Sequence, residues 1–307
     1  MVSAFSKSSA WRSDMPTDYR PSESSYILDS ASGAEIARLH VQHSLFTGAL
    51  GYLIPPEIDL TNVETILDIG SGSGSWAIET AYAFQDRAIV GIDISSQVVG
   101  YARARAVVQR VENVSFRVMD ACKPLEFAEG SFDLIHIRFA SGFLHTCTWP
   151  LLLKECFRVL TAGGILLLTE CELGISNSLA LQQLNGFLFQ VLQKEQRTFS
   201  VDGQTLGVSY MFNSLLQEAG FQTITNKPFM LNFSSSTPSD LTTIKELELT
   251  FEALRPYILR FGLVDEKTYK DLCVQMLQDL LEERFVCISL GLTAWGYKGE
   301  CAGNNSR

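Results

Sequence analysis

The sequence is short of cations, of histidine and of paired cysteines. Lysine and arginine total 24 against 34 aspartates and glutamates, giving a formal net charge of −10. Holding a phosphate backbone requires a positive footprint. Neither the total nor any local cluster supplies one, so no nucleic-acid partner is expected. No run approaches the roughly 18 uninterrupted apolar residues that suggest a membrane span, so no membrane insertion is expected either. The opening MVSAFSKSSAWRSDMPTDYRPSESSY has no apolar leader segment. The seven cysteines are scattered and include no C-x-x-C pair, which fits a reduced, cytoplasmic protein better than a disulfide framework. Of the four histidines, His40 and His43 stand three apart. No carboxylate or cysteine set accompanies them, so no metal site is expected.

What is present is apolar and periodic. Hydrophobic residues make up 46% of 307, enough for a sizeable core, and the length suits one large domain or one domain with a substantial insertion. The Ser-rich, aperiodic residues 1–24 read as a flexible N-terminal arm. A helical cap segment is expected over 25–60, where Ile36, Leu39, His43 and Phe46 fall at helical spacing. An α/β core is expected over 61–237. It begins with the strand VETILDIG and the helix SWAIETAYAF, then the strand AIVGIDI and the helix SQVVGYARARAVVQRV. The strands VSFRVMDA and SFDLIHIR follow, then the helix WPLLLKECFRVL, ended by Gly163 and Gly164, and the strand GILLLTECEL. Apolar strands alternating with helices indicate a parallel sheet covered on both faces. Further on, a helix near 178–196 and a loop or hairpin, TFSVDGQTLGVS, lead to the helix YMFNSLLQEAG, with Gly220 as its C-cap. FQTITNKPFMLNF and FVCISLGLTAWGYK read as strands, the latter giving a last core strand over 285–300. Residues 238–284 between them are too long for an ordinary connection and read as a helical lid. Within it, DEKTYKD (265–271) reads as a solvated helix face.

The stretch after the first strand poses the functional question. ILDIGSGSGSW spends three glycines between a buried strand and a helix, at an entropic cost tolerated where the backbone must adopt special dihedrals or approach something closely. In open parallel sheets ligands bind beyond the carboxyl ends of the strands. Gly70, Gly72 and Gly74 are therefore expected to bring the main chain close to a ligand and expose N–H donors. The next strand ends at Asp93, suited to accept from ribose hydroxyls, and the third ends at Asp120, suited to accept from an adenine amino group. A dinucleotide site would favour G-x-G-x-x-G, with pyrophosphate on the helix N-terminus. Here the pattern is D-x-G-x-G-x-G. Asp68 would repel pyrophosphate but suits a cationic ligand such as S-adenosylmethionine, which carries a sulfonium and an ammonium.

LDIGSGSGSW, VGIDIS, VMDA, FDLIHIRF and LLKECFRVLTAGGILLLTE together resemble the class I S-adenosylmethionine-dependent methyltransferases. Among these they are similar to the small-molecule enzymes of ubiquinone and menaquinone biosynthesis and their secondary-metabolite relatives. Ser71 and Ser73 depart mildly from the residues frequent there. The resemblance implies an α/β, Rossmann-like seven-stranded methyltransferase sheet with a reversed last strand and a helical cap. It implies S-adenosyl-L-methionine as cofactor, with Gly70, Gly72 and Gly74 lining the methionine moiety and Ser71 a contact in the same loop. Asp93 would hold the ribose, Ile94 would pack on the adenine, and Asp120 with Ala121 would contact the adenine edge. Arg138 would offer its backbone to the cofactor amino group, and Tyr26 and Arg38 would cap the methionine carboxylate.

Methyl transfer to a phenol, hydroxyl or carbon needs a proton acceptor. His145, just past the fourth strand, is the candidate base, with Glu170 and Glu172 at the end of the fifth strand as further candidates. The 19 phenylalanines and the weakly charged helix SLALQQLNGFLFQVL suggest an apolar small-molecule substrate. The expected function is methyl transfer to such a molecule, a secondary metabolite. The alternative is a cofactor-binding cyclase or rearrangement catalyst on the same fold.

Overall fold

Residues 33–234 and 240–299 are described by a computed structural model, in which the short apolar runs form one mixed sheet. α1 (Gly33–Leu50) precedes β1 (Thr65–Ile69), α2 (Ser75–Ala83), β2 (Ala88–Asp93), α3 (Ser96–Val108), β3 (Val114–Val118) and β4 (Phe132–Arg138). α4 (Trp149–Val159), β5 (Leu160–Cys171), the two-residue β6 (Ile175–Ser176), α5 (Leu179–Lys194), α6 (Phe212–Ala219) and β7 (Gln222–Asn232) follow. α7 (Asp240–Arg260), α8 (Glu266–Leu280) and β8 (Cys287–Tyr297) complete the order. The strands lie in the order β3-β2-β1-β4-β5-β8-β6, and β7 also pairs with β8. β1 to β5 are parallel where they pair, and β8 runs antiparallel to β5, β6 and β7. Apart from the short β6, this is the expected seven-stranded sheet with its last strand reversed.

Alternation within each strand divides the core into two layers. Leu67 and Ile69 of β1 pack with Ile135 and Ile137 of β4 against Trp149, Leu152 and Cys156 of α4 and Phe212 of α6. Ile66 and Leu134 point to the other face, against Trp76 and Ile78 of α2 and Val99 and Ala102 of α3. A further apolar cluster joins α5 to α7 and α8 through Leu184, Leu188, Phe251, Leu254, Ile258 and Met276.

The termination of α4 differs from the reading at Gly163 and Gly164. The helix ends at Val159, and Leu160 turns extended (φ −73°, ψ 144°). The buried pair Val159 and Leu160 starts β5 early, Leu160 opposite Phe132, with a register shift after it. Gly163, at φ 76°, stays in the sheet, its N–H donating to the Lys298 carbonyl at 2.8 Å. Gly220 does terminate α6, in the left-handed conformation at φ 104°. In 265–271, Asp265 caps α8 by accepting the Thr268 N–H at 2.9 Å. Tyr269 corrects the solvated-face reading there. It is fully buried, and its hydroxyl donates to the Phe251 carbonyl at 2.6 Å. The charged residues either side of it conceal an aromatic that fastens α8 to α7.

Candidate functional site

A cavity of about 340 Å³ lies beyond the carboxyl ends of β1, β2, β4 and β5. Its sheet end is lined by Gly70, Ser71 and Gly72, by Asp93 and Ile94, by Asp120 and Ala121, and by Arg138. Leu39 and Phe46 of α1, Leu188 and Leu192 of α5, and Leu247 and Leu254 of α7 line it as well, with Leu39 close to Gly72. Tyr26 lies outside the described residues.

The glycine loop is shaped by positive dihedrals: φ is 70° at Gly70, 53° at Gly72 and 73° at Gly74. Gly74 does not line the cavity, which corrects the reading of all three as cavity wall. It occupies the N-cap of α2, where a Cβ would come within 2.7 Å of the Phe116 ring and 2.8 Å of Ala102. Its role is close packing of loop, α3 and β3. The loop N–H groups also depart from expectation. Ser71 donates to the Ile92 carbonyl, Gly72 to Asp93 Oδ2 and Gly74 to the Ser71 carbonyl, at 2.9, 3.0 and 2.9 Å. With these donors engaged, the turn is not an anion cradle.

The acids fit a cationic nucleoside. Asp68 accepts from His136 Nδ1 at 2.8 Å through Oδ1, while Oδ2 is buried with no hydrogen-bond partner among the described residues. That bare oxygen at the cavity wall suits an ammonium or sulfonium group. His136 stacks on Trp76 with ring centroids 3.7 Å apart, and burial holds its pKa below the usual value. It is therefore neutral, with its proton on Nδ1. Asp93 accepts the Gly72 and Ser95 N–H groups, one on each oxygen, and each carboxylate oxygen keeps a lone pair for a hydroxyl. Burial raises its pKa. Asp120 accepts the Cys122 N–H at 2.9 Å and pairs with Lys123 at 3.4 Å. These residues fit S-adenosylmethionine.

Arg138 is half-buried, and desolvation brings its pKa down to about 10 and leaves it charged. Its Nη2 donates to His43 Nδ1 at 2.9 Å, so His43 must carry its proton on Nε2, 2.6 Å from Glu79 Oε2. Arg138, His43 and Glu79 thereby tie β4, α1 and α2 together. Arg38 lines the cavity and pairs with Glu35 at 2.8 Å and Glu246 at 3.3 Å.

His145 does not line the cavity, which corrects its expected position at the mouth. It is buried beside Arg197 and Glu195, and burial, then Arg197, lowers its pKa. Its carbonyl accepts from the Thr148 N–H and hydroxyl, so the loop turns into α4 and carries the imidazole away from the strand ends. Glu170 and Glu172 do line the cavity. Burial pushes Glu170 up to about 8, and its Oε1 accepts the Ser141 N–H at 2.9 Å. Glu172, also raised by burial, accepts the Leu206 and Gly207 N–H groups at 2.7 and 3.0 Å and so holds the 199–208 loop against the cavity.

His136, Trp76 and Glu246 were missed by the sequence reading. A histidine between two isoleucines in FDLIHIR was a usable signal for a buried polar contact. Glu246 in IKELELTF reads as an ordinary helix-surface acid, and only the packing of α7 over the cavity reveals it.

Comparison with known proteins agrees with this geometry. A family model described as a methyltransferase domain matches residues 66–164. Methyltransferase str3 of Strobilurus tenacellus is 32% identical over 139 residues, 45% of this chain and 46% of that protein. Methyltransferase pytC of Aspergillus terreus is 29% identical over 202 residues, 64% of this chain and 58% of that protein. The chain spans about half the length of the curated relatives it matches. The phosphoethanolamine N-methyltransferase 2 of Haemonchus contortus, solved with phosphomonomethylethanolamine and S-adenosylhomocysteine, superposes with a TM-score of 0.52 at 18% identity. That match covers 89% of this chain and 61% of the other. Among the described residues no helix is long and apolar enough to cross a membrane. Residues 66–164 thus match a methyltransferase domain, and the α/β core has the fold of a solved methyltransferase.

Proposed function

We propose that the whole protein transfers the methyl group of S-adenosylmethionine to an apolar small molecule, a secondary metabolite. The supporting observation is the mixed lining of the cavity: strand-end acids with bare or half-used oxygens together with leucines and phenylalanine from α1, α5 and α7. The two relatives named above are methyltransferases, which supports methyl transfer.

Bound S-adenosylmethionine supplies an electrophilic methyl on a sulfonium, transferred by in-line displacement. The chain's contribution is positioning and exclusion of water. Asp93 would receive the ribose hydroxyls, Ile94 would pack on the adenine, and Asp120 and Ala121 would meet its edge. Gly70, Ser71 and Gly72 would face the methionine moiety, with Asp68 receiving its ammonium and the Arg138 backbone beside it. Gly74 shapes this loop from behind. α1 and the helical insertion, α7 and α8, act as the lid that desolvates the acceptor. Proton removal from the acceptor falls to the acids facing that end, Glu170 and Glu172, in place of His145.

Incubating the full chain with methyl-labelled S-adenosylmethionine and a metabolite extract tests this reading. A labelled apolar product, heavier by one methylene, is the expected result. Product formed without label would overturn transfer in favour of cyclisation or rearrangement.

A further inference from the structure

The cavity holds more unsatisfied acid than its cofactor end uses. Asp68 Oδ2 belongs to the glycine-loop end. Glu246 belongs to the lid: it projects from α7, is 8% exposed, and lines the same cavity. Its Oε1 accepts from Arg38 Nη1 and from the Thr250 hydroxyl, both at 3.3 Å. Its Oε2 is buried with no partner among the described residues. The tighter contacts of Arg38 go to Glu35, whose two oxygens receive Nε and Nη2 at 2.8 and 2.9 Å. One guanidinium thus serves two carboxylates unequally, and Glu246 has the weaker share.

A buried acceptor without a donor is costly, so such atoms in a folded protein call for an explanation. Leu247 and Leu254, on the same helix, line the same cavity. Burial pushes its carboxyl up to about 7, the mark of an acid whose partners do not repay its desolvation. Once ionised, above that value, the carboxylate attracts a hydrogen-bond donor and repels an anion.

We propose that Glu246 is an acceptor-specificity residue, its free oxygen receiving a hydroxyl or amino group on the apolar methyl acceptor and excluding acceptors that carry an anion there. This rests on the methyltransferase reading above. Hydroxyl and amine share the donor chemistry and differ in charge, so substitutions can separate them.

The test is calorimetry on the full chain loaded with S-adenosylhomocysteine, using four probes on one scaffold: 2-naphthol, 2-naphthylmethylamine, naphthalene and 2-naphthoate. The first two should bind at least tenfold tighter than the last two. Glu246→Leu should abolish that preference while leaving naphthalene unchanged. Glu246→Gln should keep the naphthol preference, because an amide oxygen still accepts, and lose most of the amine preference. Should Glu246→Leu fail to fold, the isosteric Gln variant carries the test. Equal binding of naphthoate and naphthol, a preference that survives Glu246→Leu, an amine preference unchanged in Glu246→Gln, or binding of none of the four would overturn the assignment. Failure of S-adenosylhomocysteine itself to bind would overturn the cofactor reading instead, and is measured before any probe is added.

Discussion

The two ends of the cavity hold their acids in opposite ways. At the sheet end Asp93 is fixed by the Gly72 and Ser95 N–H groups and Asp120 by the Cys122 N–H, so the main chain of the strand-end turns sets their positions. At the lid end Glu246 touches only side chains, from α1 and its own helix. Glu170 and Glu246 are raised to about 8 and about 7 by burial. The strand-end acids are held by main-chain N–H groups, while Glu246 is held where α1 and α7 meet. The proposed cofactor contacts therefore sit on the sheet and the proposed acceptor contact on the insertion.

The sharpest way to break this comparison is at Gly74, which serves the fold of the sheet end without touching the cavity. Gly74→Val places a branched side chain at φ 73° against Phe116 and Ala102. It should cost about 2–5 kcal/mol, combining left-handed strain with overpacking. Urea unfolding measures it, and an unchanged midpoint would return Gly74 to the ligand.

Glu170, on β5 and held by the Ser141 N–H, belongs with the sheet acids, and its variant is Glu170→Gln. A carboxyl whose folded pKa lies above its unfolded value of 4.5 stabilises the fold most at low pH. That stability is lost as pH rises through the folded value near 8. The wild type should therefore weaken between these limits, with Glu246 and Glu172 adding to the slope. The glutamine variant, which keeps an oxygen for the Ser141 N–H, should lose less over the window, by on the order of 3 kcal/mol. Identical pH profiles by thermal denaturation would mean that Glu170 is not desolvated.

Asp93→Ala should weaken S-adenosylhomocysteine binding by about 1.5–3 kcal/mol, the scale for a charge-assisted hydrogen-bond partner. Calorimetry reads it, and unchanged affinity would remove Asp93 from the ribose. The smallest effect is expected at His145. His145→Ala should lower turnover by less than about tenfold, well short of the roughly 10²–10⁴-fold associated with a general base. A larger loss, with a pH–rate profile that loses its acid limb, would restore the imidazole to the chemistry.

The same division explains what could be read from sequence. The strands were legible because a strand buried on both faces is mostly apolar, as in ILDI and LIHI, whose polar residues Asp68 and His136 pair with each other, and the glycines and acids stood at their ends. The insertion was legible as helical, since β7 and β8 bracket α7 and α8. What it presents to the cavity was not, because which of several glutamates in IKELELTFE faces inward depends on contacts with α1, far away in sequence. His145 misled for a related reason. Proximity to a strand end places a loop, while the turn through Thr148 decides which way its side chain leaves. Gly163 misled because glycine ends helices and relieves strands alike.

β8 carries a consequence for how the chain acquires its structure. It is the only described strand that pairs with β5, β6 and β7, and Ile165 meets Tyr297 only after everything from β6 to α8 has been made. Until then the edge of β5 stands open with its backbone groups unpaired, the kind of edge that invites association between chains. Such long-range pairing also slows folding, because loop closure must precede the reward of contact. During synthesis the parallel half from β1 to β5 can condense while the lid is still emerging. Completion of the sheet waits for the last strand, so the polypeptide should be most prone to aggregate in the interval before β8 arrives.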